Sequence, residues 1–370
     1  MTQRKYALDF RKEEINPVMQ RWSAGLSCSL VGVGSVGKSN LLQHLTDPEV
    51  QKYHRGAKAE LFYPINVDAN LLGAFPADPT DAFRCWAGYE LLMHRLYMAL
   101  YPFDMLSSDD AQRFYDLYRL LQDGTNPIYQ YMGLRYFEMG MSIFFRSKVK
   151  IVFMLDEFEE LVARLPVKFF QTLRGVRDMY KRNLLFLTFS REPISVLIER
   201  YNIDAQLIEP FAELFTDGTY YVGPYNAADS QAMVDELMVR QGKSLAPVVS
   251  QAIQRVTGRY AGLLRAVFTV MDTLPNVNWG GSSTDALAAA LITRHPIRTE
   301  CATIWKSLTP AEHYVLKAAA QLVPYQKTEE AEFTVSMLVQ KRLLQVDSAQ
   351  QSLSIEPPVF RHYVMTNPAS

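Results

Sequence analysis

The sequence predicts an α/β fold: a mostly parallel sheet covered by helices, followed by an all-helical region and a short C-terminal hairpin. Three observations carry this. A short apolar run, Leu26 to Val31, leads into Gly32-Val33-Gly34-Ser35-Val36-Gly37-Lys38-Ser39 and then into a helical stretch, Asn40 to Leu45. Further apolar runs alternate with helical patterns as far as Val222, which argues for a parallel sheet covered on both faces. After Pro224 the strand signal stops. With 370 residues, 48% of them apolar and 21% charged, the chain is long enough for two or three domains with a sizeable core.

Taken in order, 61–67 (LFYPINV) reads as a second strand, which Pro64 confines to an edge or a bulge. In 81–101, Trp86, Tyr89, Met93, Leu96 and Leu100 recur at three- and four-residue spacing, predicting a helix buried along one face. Helices over 109–122 and 127–146 follow. Twelve of the aromatic residues, Tyr129 and Tyr131 among them, crowd into 97–145, about twice an even share. The simpler expectation is a helical insertion packed on the sheet; the other is a partner-binding aromatic surface. Val149 to Leu155 (VKIVFML) is nearly continuous apolar, as a strand covered on both faces should be, and it ends at Asp156-Glu157. A helix over 167–181, a buried strand over 184–189 running into Ser190-Arg191, and a strand over 219–222 complete the core.

Helices at about 227–241, 246–256, 260–273 and 284–293 form the next segment, interrupted by the polar loop 275–283. The tail has helices near 299–307, 310–322 and 334–343, then short strands 344–346 and 353–355 around a polar turn at 347–351, a winged-helix pattern. The expected domains are a core over 1–225, a helical lid over 226–293 and a winged helix over 294–370.

Composition excludes several classes of function. Lys plus Arg (38) nearly cancels Asp plus Glu (39), so no global basic field points to nucleic acid or an anionic membrane. The cysteines Cys28, Cys85 and Cys301 lie far apart and the six histidines show no ligand spacing, as expected of a cytoplasmic protein without a zinc site. The N-terminal stretch is charged and no run is apolar enough to span a membrane.

The chemistry is concentrated at strand ends. Gly32 to Ser39 matches GxxxxGK[ST] after a strand and before a helix. Glycines let such a loop turn its backbone N–H groups around a polyphosphate without a Cβ in the way. Gly32, Gly34, Ser35, Val36, Gly37, Lys38, Ser39 and Asn40 are therefore expected to bind nucleotide, with Lys38 on the β- and γ-phosphates and the Ser39 hydroxyl on Mg²⁺. The core is accordingly that of a P-loop NTPase. Asp156 is expected to hold Mg²⁺ and Glu157 to orient or deprotonate the attacking water, against the simpler reading of an acidic helix start. Arg191 ends a strand on the ligand side and is expected to sense a γ-phosphate, or else to reach out to solvent or pair with Glu192. Arg174, Arg177 and Lys181, at i, i+3 and i+7, read first as a solvated basic stripe and second as a finger toward a neighbouring subunit.

In this order, GVGSVGKS, the DE pair of IVFMLDEFEEL, LRGVRDMYKR, the TFSRE strand end, TGRYAGLLRAV and the C-terminal VSMLVQKRLLQVDSAQQSLSIEPPVFRHYV resemble the AAA+/STAND group of P-loop ATPases, in particular the prokaryotic AAA-like ATPases with a winged helix. The resemblance covers about Phe10 to Val364, apart from the aromatic insertion. It implies an ATPase using ATP and Mg²⁺, with Lys38, Ser39, Asp156, Glu157 and Arg191 in the roles above. Two positions depart from it. Ala261 stands where members often have Pro, and Glu356 is nearest to the winged-helix His that some STAND proteins place on the β-phosphate.

The expected function is an ATP-hydrolysing switch that signals to a separate effector or sensor protein, in defence or signal transduction, with self-assembly open. Core, lid and winged helix use the whole length, which is why a separate partner is expected. The alternative is a DNA-acting ATPase of the replication-initiator or transposition-regulator type that grips duplex through its winged helix. Residues 299–370 carry a net charge of −1, which disfavours DNA, although Lys341 and Arg342 close the candidate recognition helix.

Overall fold

The computed structural model describes residues 6–124, 127–274, 277–347 and 352–366. Residues 348–351 of the expected polar turn at 347–351, Pro275 and Asn276 of the polar loop, Met1 to Lys5 and the side chain of Tyr129 lie outside them; Asp347 instead ends a strand. The chain forms two compact units: Met1–Val31 with Leu42–Tyr220, and Gly32–Leu41 with Tyr221–Ser370.

The first unit is built on the strands β1 (Cys28–Val31), β2 (Tyr63–Asp68), β3 (Ile151–Asp156), β4 (Leu184–Ser190) and β5 (Thr219–Tyr221), in the spatial order β2-β3-β4-β1-β5. β2 with β3, β3 with β4, and β4 with β1 all pair in parallel. Every residue of β1 and β4 is buried, which is why these strands read as mostly apolar runs. The hydroxyls they do carry are satisfied internally. Thr188 Oγ1 donates to Ser29 Oγ at 2.9 Å, and Ser190 Oγ donates to Glu192 O at 2.6 Å. Pro64 lies in β2, at the sheet edge as its missing N–H requires.

Helices Asp81–Leu100, Ser108–Gln122 and Pro127–Arg146 form the insertion. Phe103, Phe114, Phe137 and Phe144 are buried in one apolar cluster with the β3 and β4 side chains, and Phe114 stacks edge-on against Phe144 at 4.9 Å between ring centres. The Phe137 ring lies 6.4 Å from that of Phe153 on β3. Burial in this cluster accounts for Phe103, Phe114, Tyr118, Phe137, Phe144 and Phe145, while Tyr101 and Tyr131 remain 64% and 75% exposed. The helix Val167–Met179 stops before Lys181. Arg177 is buried and donates to Gly25 O at 3.1 Å, and Arg174 is paired with Asp178 at 2.8 Å. Arg174 also donates to Pro210 O and lies 3.5 Å from Glu213, so the expectation of a solvated stripe is corrected at these two cations, which tie their helix to the rest of the unit.

In the second unit, helices Ala227–Gln241, Pro247–Thr257, Ala261–Val270 and Thr284–Leu291 are followed by His295–Lys306, Pro310–Ala319 and Glu329–Gln340, the antiparallel pair β6 (Leu344–Asp347) and β7 (Ser352–Ile355), and a closing helix, Pro358–Thr366. Thr309 and Glu312 cap the helix Pro310–Ala319 reciprocally. Among the described residues, no helix is long and apolar enough to cross a membrane.

Candidate nucleotide site

Because β1, β3 and β4 are parallel, their carboxyl ends lie along one edge of the sheet. Val31 stands in register with Ser190, and Leu155 with Thr188. Ligands of open α/β sheets bind at that edge.

β1 runs on from Val31 through Gly32 to Gly37, and a helix, Lys38–Leu45, opens directly after the loop. The reversal places two residues in the left-handed region, Ser35 at φ 67° and Gly37 at φ 88°. Glycine is needed at 37 on a second ground, since a Cβ there would lie 2.8 Å from the Tyr225 hydroxyl and 3.1 Å from Ala261 Cβ. Val33 and Val36 are buried and anchor the loop, whereas Lys38 is half-buried and Ser39 exposed. The start of the helix carries partial positive charge where Lys38 adds a full one. Asn40 Nδ2 donates to the Tyr225 hydroxyl at 3.0 Å, which ties the first helical turn to the segment after β5. Ala261, where the resembling family often has Pro, is the first residue of the helix Ala261–Val270, a position that Pro also suits.

The loop is held from a side that sequence reasoning missed. The Gly262 N–H donates to Ser35 O at 3.0 Å. Ser35 Oγ donates to the Glu300 carboxylate, and the Gly34 N–H donates to Ser307 Oγ at 3.3 Å. Glu300, Thr303 and Ser307 recur at i, i+3 and i+7 along His295–Lys306 and the turn that follows it, a polar stripe that could have been read from the sequence.

At the strand ends of the first unit, Asp156 closes β3 and its Oδ1 accepts the Glu157 N–H at 2.8 Å. Glu157 sits at φ 50° as the N-cap of the helix Phe158–Arg164. This left-handed conformation is unusual for a glutamate, and such strain clusters at functional sites. Arg191, just past β4, donates from Nη2 to Glu157 Oε2 at 3.0 Å and lies with Nε 3.2 Å from Glu159 Oε1. The alternative partner Glu192 is instead buried against Arg200, at 3.1 Å. In the sequence Glu159 reads as no more than an acid in the first turn of the helix Phe158–Arg164. Asp68, the last residue of β2, stands in register with Asp156 and was not singled out either. The loop carries a lysine and a hydroxyl, which suit a polyphosphate, and β3 of the first unit ends in an aspartate, an oxygen donor of the kind that a hard cation such as Mg²⁺ takes.

No protein-family model matches the chain, and no curated protein does. Among solved structures, it is similar to a Walker-type ATPase of Pyrococcus abyssi, at 15% identity over 95% of each chain with a TM-score of 0.50. It is also similar to the ORC2 protein of Aeropyrum pernix in its ADPNP–ADP complexes, at 12% identity over 97% of this chain and 94% of that one with a TM-score of 0.49. A third structure, Cdc6p from Pyrobaculum aerophilum, aligns at 10% identity over 98% of this chain and 95% of that one with a TM-score of 0.44. The sheet order, the loop between β1 and its helix, and the first of these likenesses agree on the fold: an α/β P-loop NTPase core followed by a helical C-terminal region.

Proposed function

We propose that this chain binds and hydrolyses Mg·ATP and works as a switch whose two states are read by a separate protein. The observation that carries the reading is strand order within one sheet. β1, which leads into the GxxxxGKS loop, and β3, which ends in Asp156-Glu157, run parallel on either side of β4.

In this reading the backbone from Gly32 to Gly37 cradles the phosphates, Lys38 neutralises the β- and γ-phosphates, and Asn40 steadies the first helical turn. Ser39 and Asp156 would hold Mg²⁺, whose chemistry is to neutralise charge on the phosphate oxygens. Glu157 accepts the proton of the attacking water. A γ-phosphate competes with Glu157 for the Arg191 guanidinium, so ATP itself would release the base that cleaves it.

The helices at 227–291 serve as the lid and the segment from about 294 as a winged helix. A protein partner is supported over duplex DNA by the charge on that segment. The helix Glu329–Gln340, the one that would enter a groove, begins with Glu329, Glu330 and Glu332. Lys341, one of the two cations at its end, is buried in an ion pair with Glu312 at 2.6 Å and cannot reach phosphate.

Calorimetric titration of Mg·ATP into the Lys38→Ala protein tests the reading. Loss of binding with an unchanged far-ultraviolet circular dichroism spectrum is expected, because Lys38 contributes charge rather than core packing. Undiminished affinity would sink the assignment.

A further inference from the structure

A loop built to hold an anion is touched here by one of the chain's own carboxylates. Glu300 accepts a hydrogen bond from Ser35 Oγ, and two neighbours on the same helical face complete the contact. The Gly34 N–H donates to Ser307 Oγ at 3.3 Å. A Cβ placed on Gly34 would lie 2.7 Å from Thr303 Cγ2 and 2.9 Å from Thr303 O, so helix and loop meet at backbone distance. On the far side, Gly262 leaves the room in which Glu300 and Ser35 meet. A Cβ there would lie 2.8 Å from Ser35 Cβ and 2.9 Å from Glu300 Cδ.

We propose that Glu300 is an intramolecular competitor for the phosphate loop, pinning it through Ser35 so that a nucleotide phosphate must displace the helix His295–Lys306 in order to bind. The inference rests on the phosphate-binding reading of the loop and adds its regulation. The physical reason is charge. A carboxylate at hydrogen-bond distance from the loop and a polyphosphate inside it repel strongly in a partly buried, water-poor setting. The two arrangements therefore exclude each other, and apparent affinity falls by the fraction of molecules with the loop released. Because Glu300 belongs to the C-terminal segment, nucleotide binding and movement of that segment become one event. The winged-helix residue that the resemblance pointed to, Glu356, has its N–H bonded to Leu343 O at the end of the β6–β7 hairpin. The acid from this segment that meets the loop is Glu300.

The test is Mg·ATP affinity by calorimetry for the unmodified chain and for Glu300→Ala, Glu300→Gln, Thr303→Ala and Lys38→Ala. Both Glu300 variants should bind at least tenfold more tightly than the unmodified chain, and Thr303→Ala, which keeps the charge, should stay within about threefold. Should Glu300→Ala fail to fold, Glu300→Gln carries the test, since its amide still accepts the Ser35 hydrogen bond and only the charge is lost. Unchanged or weaker binding in the Glu300 variants, with Lys38→Ala abolishing it, overturns the competitor and leaves the phosphate loop standing. Equal tightening by Thr303→Ala overturns it too, because loosened packing would then be the cause. No binding by any variant or by the unmodified chain removes the phosphate-loop reading, and this inference with it.

Discussion

Arg191 donates to Glu157 at 3.0 Å and pairs with Glu159 at 3.2 Å, so the guanidinium at the end of β4 is shared between two carboxylates that follow β3. One of them, Glu157, is exposed enough to exchange partners, and the other is buried. In the proposed exchange, Glu159 keeps Arg191 aimed at the edge of the sheet while Glu157 is released.

Arg191→Ala should therefore weaken ATP binding more than ADP binding. A charge-assisted hydrogen bond contributes about 1.5–3 kcal/mol, roughly a ten- to hundredfold difference, and ADP lacks the group that receives it. Parallel titrations of the two nucleotides measure this. Equal losses would mean that Arg191 only braces Glu157.

Glu157→Gln keeps the shape and a hydrogen-bonding side chain at the same place but removes the proton acceptor. Affinity for ATP should stay within about twofold while turnover falls at least tenfold. Phosphate release under saturating ATP reads the second quantity, and normal turnover would return Glu157 to a helix-start acid.

Gly37→Ala places a Cβ at φ 88°, 2.8 Å from the Tyr225 hydroxyl. Strain of this kind costs about 1–3 kcal/mol. Chemical denaturation should show that loss together with weakened Mg·ATP binding, since the same turn positions Lys38. A variant as stable and as competent as the parent would show that the turn tolerates a side chain.

Lys341→Met leaves Glu312 buried without its cation. Removing one member of a buried pair costs about 3–5 kcal/mol, which a urea titration would register. Because Lys341 is inaccessible, the same substitution should leave any binding to random duplex DNA unchanged. The parent protein should itself bind duplex weakly at both 50 and 200 mM salt. Submicromolar affinity that collapses steeply with salt would instead favour a DNA-acting role.

The local grammar of this chain was legible as far as it depends on neighbours in sequence. The unbroken apolar run at 149–155 reads as a doubly covered strand because nothing polar can sit there, and β3 occupies Ile151–Asp156. Gly32 to Ser39 reads as a phosphate loop because its geometry needs glycine at fixed offsets, and Gly37 has the left-handed φ that follows. Several helices were not legible, for the same reason in reverse. Lys12–Ser23 contains Pro17, and Ala205–Ala212 contains Pro210; local propensity argues against both. Burial of Ile15, Val18, Met19 and Trp22 along one face overrides it in the first, and burial of Ile208 and Phe211 in the second. The partners of the site residues lay further out of reach. Arg191 has Glu192 beside it in the chain, yet it takes Glu157, 34 positions away, because β3 and β4 are adjacent in the sheet while Glu192 turns to Arg200. Ser35 and Glu300 stand 265 positions apart. Residue types and spacings state what a side chain can do, but which opposite charge it meets is set by strand order and helix docking, and neither is written in any local window of the sequence.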